Sequence, residues 1–98
     1  MRADGIPRRF QLAGHTIKVV NVAVKRWPYG DNVLAMWSPS DLKIELRGDL
    51  TGTHRQTVFL HEAMHAMLDT SSYYELSQNE DFVDRMSIML HQMLTTMK

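Results

Sequence analysis

Apolar positions alternate with polar ones in the first half of the chain and recur at three- and four-residue intervals in the second. Residues 10–12, a possible turn at Ala13-Gly14, and the β-branched run of residues 16–22 predict a hairpin with a long second strand. Trp27-Pro28-Tyr29-Gly30-Asp31-Asn32 interrupts that pattern. Two short strands are expected next, over 33–37 and 42–46, joined by the turn-formers Ser38-Pro39-Ser40-Asp41. In the second of these Leu42, Ile44 and Leu46 alternate with Lys43, Glu45 and Arg47, which predicts one buried and one wet face.

From Gly48 to Gly52 the composition favours a turn that ends the sheet, and Thr53-His54-Arg55-Gln56 has the capping-box form that opens a helix. That helix is expected to reach about residue 68, with Leu60, Ala63, Met64 and Met67 on its apolar side and His54, His61 and His65 sharing a flank. Residues 70–76 read as a connection with room for one short helical turn. A second helix is expected from residues 77–79 almost to the end, its core stripe formed by Phe82, Met86, Met89, Leu90, Met93, Leu94 and Met97. Strands first and helices second predict an α+β fold: a mainly antiparallel sheet of three to four strands packed on both helices.

The chain has 98 residues, enough for a single small domain spanning 1–98. Eleven basic residues balance eleven acidic ones, so the broad cationic field used to bind nucleic acid is not expected. Arg8-Arg9 and Lys25-Arg26 read as solvated pairs. With no cysteine, a metal site must be built from His, Asp or Glu. No apolar run approaches the ~20 residues of a membrane span, and the opening residues lack the apolar stretch of a secretory signal, so a soluble cytoplasmic protein without membrane partners is expected. Four of the eight methionines fall on the second helix's stripe and are expected to pack a core.

His61-Glu62-Ala63-Met64-His65 is an H-E-x-x-H string inside a helix predicted independently of it. At i and i+4 the two histidines lie about 5–6 Å apart at Cβ, so both rings can reach one metal ion. Tetrahedral zinc would then keep places for a third protein ligand and a water. Glu62 stands on the shoulder of such a site, where it can take a proton from the activated water and deliver it to a leaving amine.

Glu80 is the expected third ligand. With Asp84, Ser87 and His91 it forms a polar stripe on the second helix that can face the first helix at the edge of the core, and Asp84 can accept the second ring N–H of a liganding histidine. Other readings stay open: Ser77-x-x-Glu80 also fits a capping box, and Asp69, one turn past His65, could be the third ligand instead. His15 and His54 read as surface or helix-start residues. Trp27 and Trp37 are expected to close hydrophobic corners, unless one contacts substrate.

His61-Glu62-x-x-His65 followed by Asn79-Glu80-x-x-x-Asp84 resembles the gluzincins, thermolysin-like zinc metallopeptidases with an N-E-x-x-x-D element. The resemblance covers residues 58–84 and the sheet only in type. It is nearest to the single-domain minigluzincins, or to short phage-type metallopeptidase-like proteins, because the chain stops after the glutamate helix. It implies a zincin-like fold, zinc held by His61, His65 and Glu80, Glu62 as general base and acid, and Asp84 orienting a histidine. It also implies that an edge strand lines the substrate cleft, for which residues 41–47 are the candidate. The family's oxyanion-stabilising Tyr or His has no obvious counterpart; Tyr73 and Tyr74 qualify by proximity and His91 by its stripe. The expectation is a zinc peptidase acting on peptides or proteins, or alternatively a zinc-stabilised regulatory module without turnover. Zinc would also support the small core.

Overall fold

Ala13 and Gly14 both take positive φ, 49° and 80°, the left-handed pair that lets a two-residue turn follow the right-handed twist of its strands. They join strand β1 (Arg9–Leu12) to strand β2 (His15–Val22) in an antiparallel hairpin with Arg9 opposite Lys18 and Leu12 opposite His15. These elements come from a computed structural model that describes residues 5–97; residues 1–4 and 98 of the expected 1–98 domain lie outside the described residues.

After β2 the chain makes a short 3-10 turn (Val24–Arg26) and a loop, then forms β3 (Ala35–Ser38) and β4 (Lys43–Arg47). The sheet order is β1-β2-β4-β3. Its two outer ladders are antiparallel, as expected, but the central β2–β4 ladder is parallel, so the sheet is mixed. The cause is the stretch between β2 and β3. It carries the chain past the place β4 will take, so β4 returns between β3 and β2 and runs in the direction of β2. The expectation that residues 41–47 form an edge strand is therefore corrected: β4 is interior, and β3 is the edge.

An interior position also changes the outer face of β4. Glu45, expected to be wet, is 8 % exposed. The loop after β2 brings Tyr29 over it, and the Tyr29 hydroxyl donates a hydrogen bond to Glu45 Oε1. Trp27 steadies the loop by donating from Nε1 to the Val33 carbonyl at 2.8 Å and packing edge-on against the Tyr29 ring.

The inner face of the sheet packs on helix α1 (Gly52–Thr70). Ile17, Val19, Ile44 and Leu46 meet Phe59, Ala63 and Ala66, and Phe59 stacks edge-to-face on Phe10 at 5.9 Å. The buried face of α1 is thus Arg55, Phe59, Ala63 and Ala66; of the expected apolar side only Ala63 is fully buried, while Leu60 and Met67 pack at the flanks. Small residues at 63 and 66 let the helix approach the strands closely. The expected capping box at Thr53 does not form: Thr51 is the N-cap, without a side-chain bond, and Gln56 is used elsewhere.

One helical turn, α2 (Tyr74–Ser77), leads to α3 (Glu80–Thr96). Asn79 caps α3, its side chain accepting from the Phe82 N–H at 3.1 Å, so the capping-box role for Ser77 and Glu80 is also corrected. Helix α3 rests on α1 and α2, outside the sheet–α1 layer. A third layer laid on one helix covers only a narrow strip of itself, here Val83 and Ser87. The expected core stripe is overturned for most of its residues: Met86, Met89, Met93, Leu94 and Met97 are exposed, only Phe82 and Leu90 are half-buried, and the polar stripe is the side that meets α1. No helix among the described residues is long and apolar enough to cross a membrane.

The Tyr29 contact makes a testable prediction. Tyr29→Phe removes the hydrogen bond from a buried carboxylate, leaving it Lys43 at 3.9 Å, and should cost about 1–3 kcal/mol in urea unfolding at neutral pH. The hydrogen bond to Glu45, with burial adding to it, raises the Tyr29 pKa. A raised folded-state pKa means the contribution is complete below the unfolded value of ~10 and fades as pH climbs through the folded one. The wild type should therefore lose stability above pH ~10 through this group, and the phenylalanine variant should lack that component.

Candidate metal centre

Helices α1 and α3 pack so that the flank of α1 carrying His61 and His65 faces the first turn of α3. With Asn79 serving as the cap, Glu80 at the first helical position is free to reach across. Its Oε2 lies 3.1 Å from Nε2 of His61 and its Oε1 lies 3.1 Å from Nε2 of His65. The two rings stand 5.0 Å apart at 65° to one another. One ligand atom from each of the three residues falls within 4.8 Å of the others. Around a tetrahedral ion with ~2.0–2.1 Å bonds, donors would stand ~3.3 Å apart, so the three side chains need little movement to share one ion.

The opposite nitrogens are also engaged. Nδ1 of His61 is 3.3 Å from Asp84 Oδ1, and Nδ1 of His65 is 3.0 Å from the Ser77 hydroxyl. The consequence for His61 follows from counting protons. A neutral imidazole has one N–H and can satisfy one acceptor, yet this ring faces a carboxylate at each nitrogen. With Nδ1–H given to Asp84, the lone pair on Nε2 would confront an anionic oxygen. A metal ion at Nε2 would relieve that contact. His65 is under no such constraint, because a serine hydroxyl can donate to Nδ1 as well as accept from it.

Glu62 lies beside the triad, largely buried, and accepts a hydrogen bond from the Trp37 backbone of edge strand β3. Burial raises its pKa above the ordinary carboxylate value; the positive fields of His65 and His61 oppose the rise, and Glu80 adds to it. A carboxylate so placed is a better proton acceptor than an exposed one.

Two clefts flank the three residues. One, of about 850 Å³, reaches His65 and Glu80 and has Trp37, Asp69 and Tyr74 in its walls. The other, of about 590 Å³, reaches His61, Glu62 and Asp84, between Ala35 of β3 and Ile88 of α3. Strand β3 is a wall of both. Comparison with protein-family models, curated proteins and solved structures returns no match. The gluzincin resemblance therefore rests on the residues of this chain alone.

The remaining candidates are placed as follows. Asp69 does not join the cluster, because its Oδ2 accepts a hydrogen bond from Trp37 Nε1 at 2.9 Å. His91 is drawn away, its Nε2 lying 2.9 Å from Gln56 Oε1. Tyr74 lines the cleft beside His65, whereas Tyr73 is exposed and is not part of its wall. His15 and His54 each line one cleft. Two contributions escaped sequence reasoning, the Ser77 hydroxyl behind His65 and the Trp37 N–H holding Glu62. Ser77 stood within a string that fitted a helix cap, and a backbone donor leaves no trace in residue type.

Outer contacts of this kind typically govern affinity, so Ser77→Ala and Asp84→Ala should each weaken metal binding about 10–100-fold, measured by competition with a chelator of known affinity, with the fold retained by circular dichroism. The raised pKa of Glu62 has its own signature in metal-free protein. Its favourable contribution is present below the unfolded value and lost as pH rises through the folded one, so Glu62→Gln should raise the unfolding midpoint at pH 7 and have little effect at pH 4.

Proposed function

We propose that this chain is a zincin-like domain that binds zinc through His61, His65 and Glu80 and hydrolyses peptide bonds, with Glu62 as general base and acid. The observation that carries the reading is His61 held between the carboxylates of Asp84 and Glu80, with His65 converging on the same Glu80 from an H-E-x-x-H helix. Two imidazoles and one carboxylate are a donor set suited to zinc, and three protein ligands keep a coordination place for chemistry. When bound, zinc supplies a Lewis acid that polarises a carbonyl and brings the acidity of water to near neutrality.

The chain's own residues provide the rest. Glu62, with its raised pKa, takes the proton of the attacking water and passes it to the departing amine. Its bond from the Trp37 backbone holds it against the edge strand, beside any peptide that adds to β3 as a further strand and runs from one cleft into the other. Tyr74, in the wall of the cleft beside His65, is the candidate donor to the developing oxyanion. Asp84 and Ser77 fix the two imidazoles in orientation.

Metal analysis of protein purified without chelator, followed by digestion of a peptide library, tests the proposal. Expected are one zinc per chain, cleavage by the wild type, and a fall of about 10²–10⁴-fold in Glu62→Gln with zinc retained. Zinc at 100 times its dissociation constant should stabilise the wild type by ~2.7 kcal/mol and leave a His61→Ala/His65→Ala variant unchanged. Stoichiometric zinc with no cleavage would assign the chain to the zinc-folded regulatory class instead; no metal-dependent stabilisation would leave His61, His65 and Glu80 as a polar cluster between α1 and α3.

A further inference from the structure

Near the site, charge is unevenly distributed although the chain is neutral as a whole. Between residues 56 and 97 stand Glu62, Asp69, Glu75, Glu80, Asp81 and Asp84, against Arg85 as the sole Lys or Arg. Arg85 is already paired with Asp81 at 3.1 Å, one turn away on α3. The helical side, which carries both clefts, thus presents a negative field that a divalent ion only partly offsets.

Within that field the two clefts differ. On the His61 side the carboxylates are committed, Glu62 to the proton transfer proposed above and Asp84 to His61, and the remaining wall includes Leu34, Ala35, Val58 and Ile88. On the His65 side Asp69 is the one carboxylate besides Glu80. Trp37 Nε1 occupies its Oδ2, and Oδ1 has no hydrogen-bond partner among the described residues. The Trp37 indole and the exposed Tyr74 ring stand in the same wall, with Pro39 and Leu42 adding apolar surface.

A carboxylate with a free oxygen, an exposed aromatic ring and an apolar lining together match one kind of side chain, a cation on a hydrocarbon stem. The stem lies along the apolar wall, the exposed Tyr74 ring adds an aromatic partner for the charge, and the carboxylate pairs with it. We infer that the cleft on the His65 side is a subsite for lysine or arginine, with Asp69 as counter-ion, so that the substrates are basic peptides carrying an uncharged residue on the His61 side. This rests on the peptidase reading and adds its substrate class. Besides Asp69, the ionisable groups in the wall outside the triad are the Tyr74 phenol and His15, exposed at the start of β2.

The test compares matched peptides that differ only in lysine, norleucine or glutamate at the position flanking the cleaved bond. Zinc-loaded wild type should prefer lysine over norleucine by about 10–100-fold in kcat/KM, in line with a charge-assisted hydrogen bond, and the preference should shrink as salt rises. In Asp69→Asn, where the amide oxygen can still accept from Trp37, the lysine-to-norleucine ratio should fall toward one. Binding of a fluorescent lysine peptide to zinc-loaded Glu62→Gln, and its loss in Glu62→Gln/Asp69→Asn, gives a readout that needs no turnover. Equal cleavage of all three peptides, or a lysine preference that survives Asp69→Asn, would overturn this inference and leave the peptidase standing. Cleavage of no peptide by zinc-loaded protein would remove the peptidase reading and this subsite with it.

Discussion

An imidazole caught between two carboxylates is the constraint on which the rest of this molecule turns. His61 has one proton to offer while neutral and faces Asp84 on one side and Glu80 on the other, so a neutral ring can donate to only one of them. His65 brings a second nitrogen to the same Glu80 carboxylate, and the three side chains together form a group that could hold a metal ion. Everything around it serves that geometry. The Asn79 cap frees Glu80, buried Ser77 backs His65, and the small residues Ala63 and Ala66 seat α1 against the sheet so that its histidine flank is turned to α3.

The layering of the domain explains how so small a chain can hold a charged cluster. The sheet and the buried side of α1 form the apolar core, and α3 is added outside it as a clamp. A clamp of this kind needs few buried residues of its own, and Val83 and Ser87 are the two fully covered ones on α3. With so little apolar burial holding α3, a metal bridging α1 and α3 would supply attachment that the packing does not. The same economy leaves a row of methionines on the outer side of α3 in contact with solvent. Helix α3 therefore follows the chemistry of its polar stripe more closely than the size of its apolar one.

Much of this was legible in residue order. Alternation located all four strands to within two residues, the Ala13-Gly14 turn followed from its residue types, and the H-E-x-x-H string on a 3.6-residue period put His61 and His65 on one flank. The stripe of Glu80, Asp84, Ser87 and His91 correctly marked the side of α3 that meets α1. Other features were not legible, for definite reasons. Periodicity identifies an apolar stripe but not whether anything lies against it, which is why the methionines were misassigned. It also carries no information on strand order, so β4 was taken for an edge and Glu45 for a solvated residue. Glu80 is the third ligand the sequence favours, and the alternative, Asp69, is set aside only by the bond it accepts from Trp37.

Local spacing by itself thus determined which residues form helices and strands and which two imidazoles share a turn, because those relations depend on the pitch of a single element. Tertiary structure alone decided which strand borders the clefts, how Asp69 is held apart from the cluster, and where Ser77 and the Trp37 backbone lend support. Each of these depends on the approach of segments distant in sequence, set by the crossing after β2 and by the seating of α3 on α1, and no residue pattern within one segment encodes the position of another.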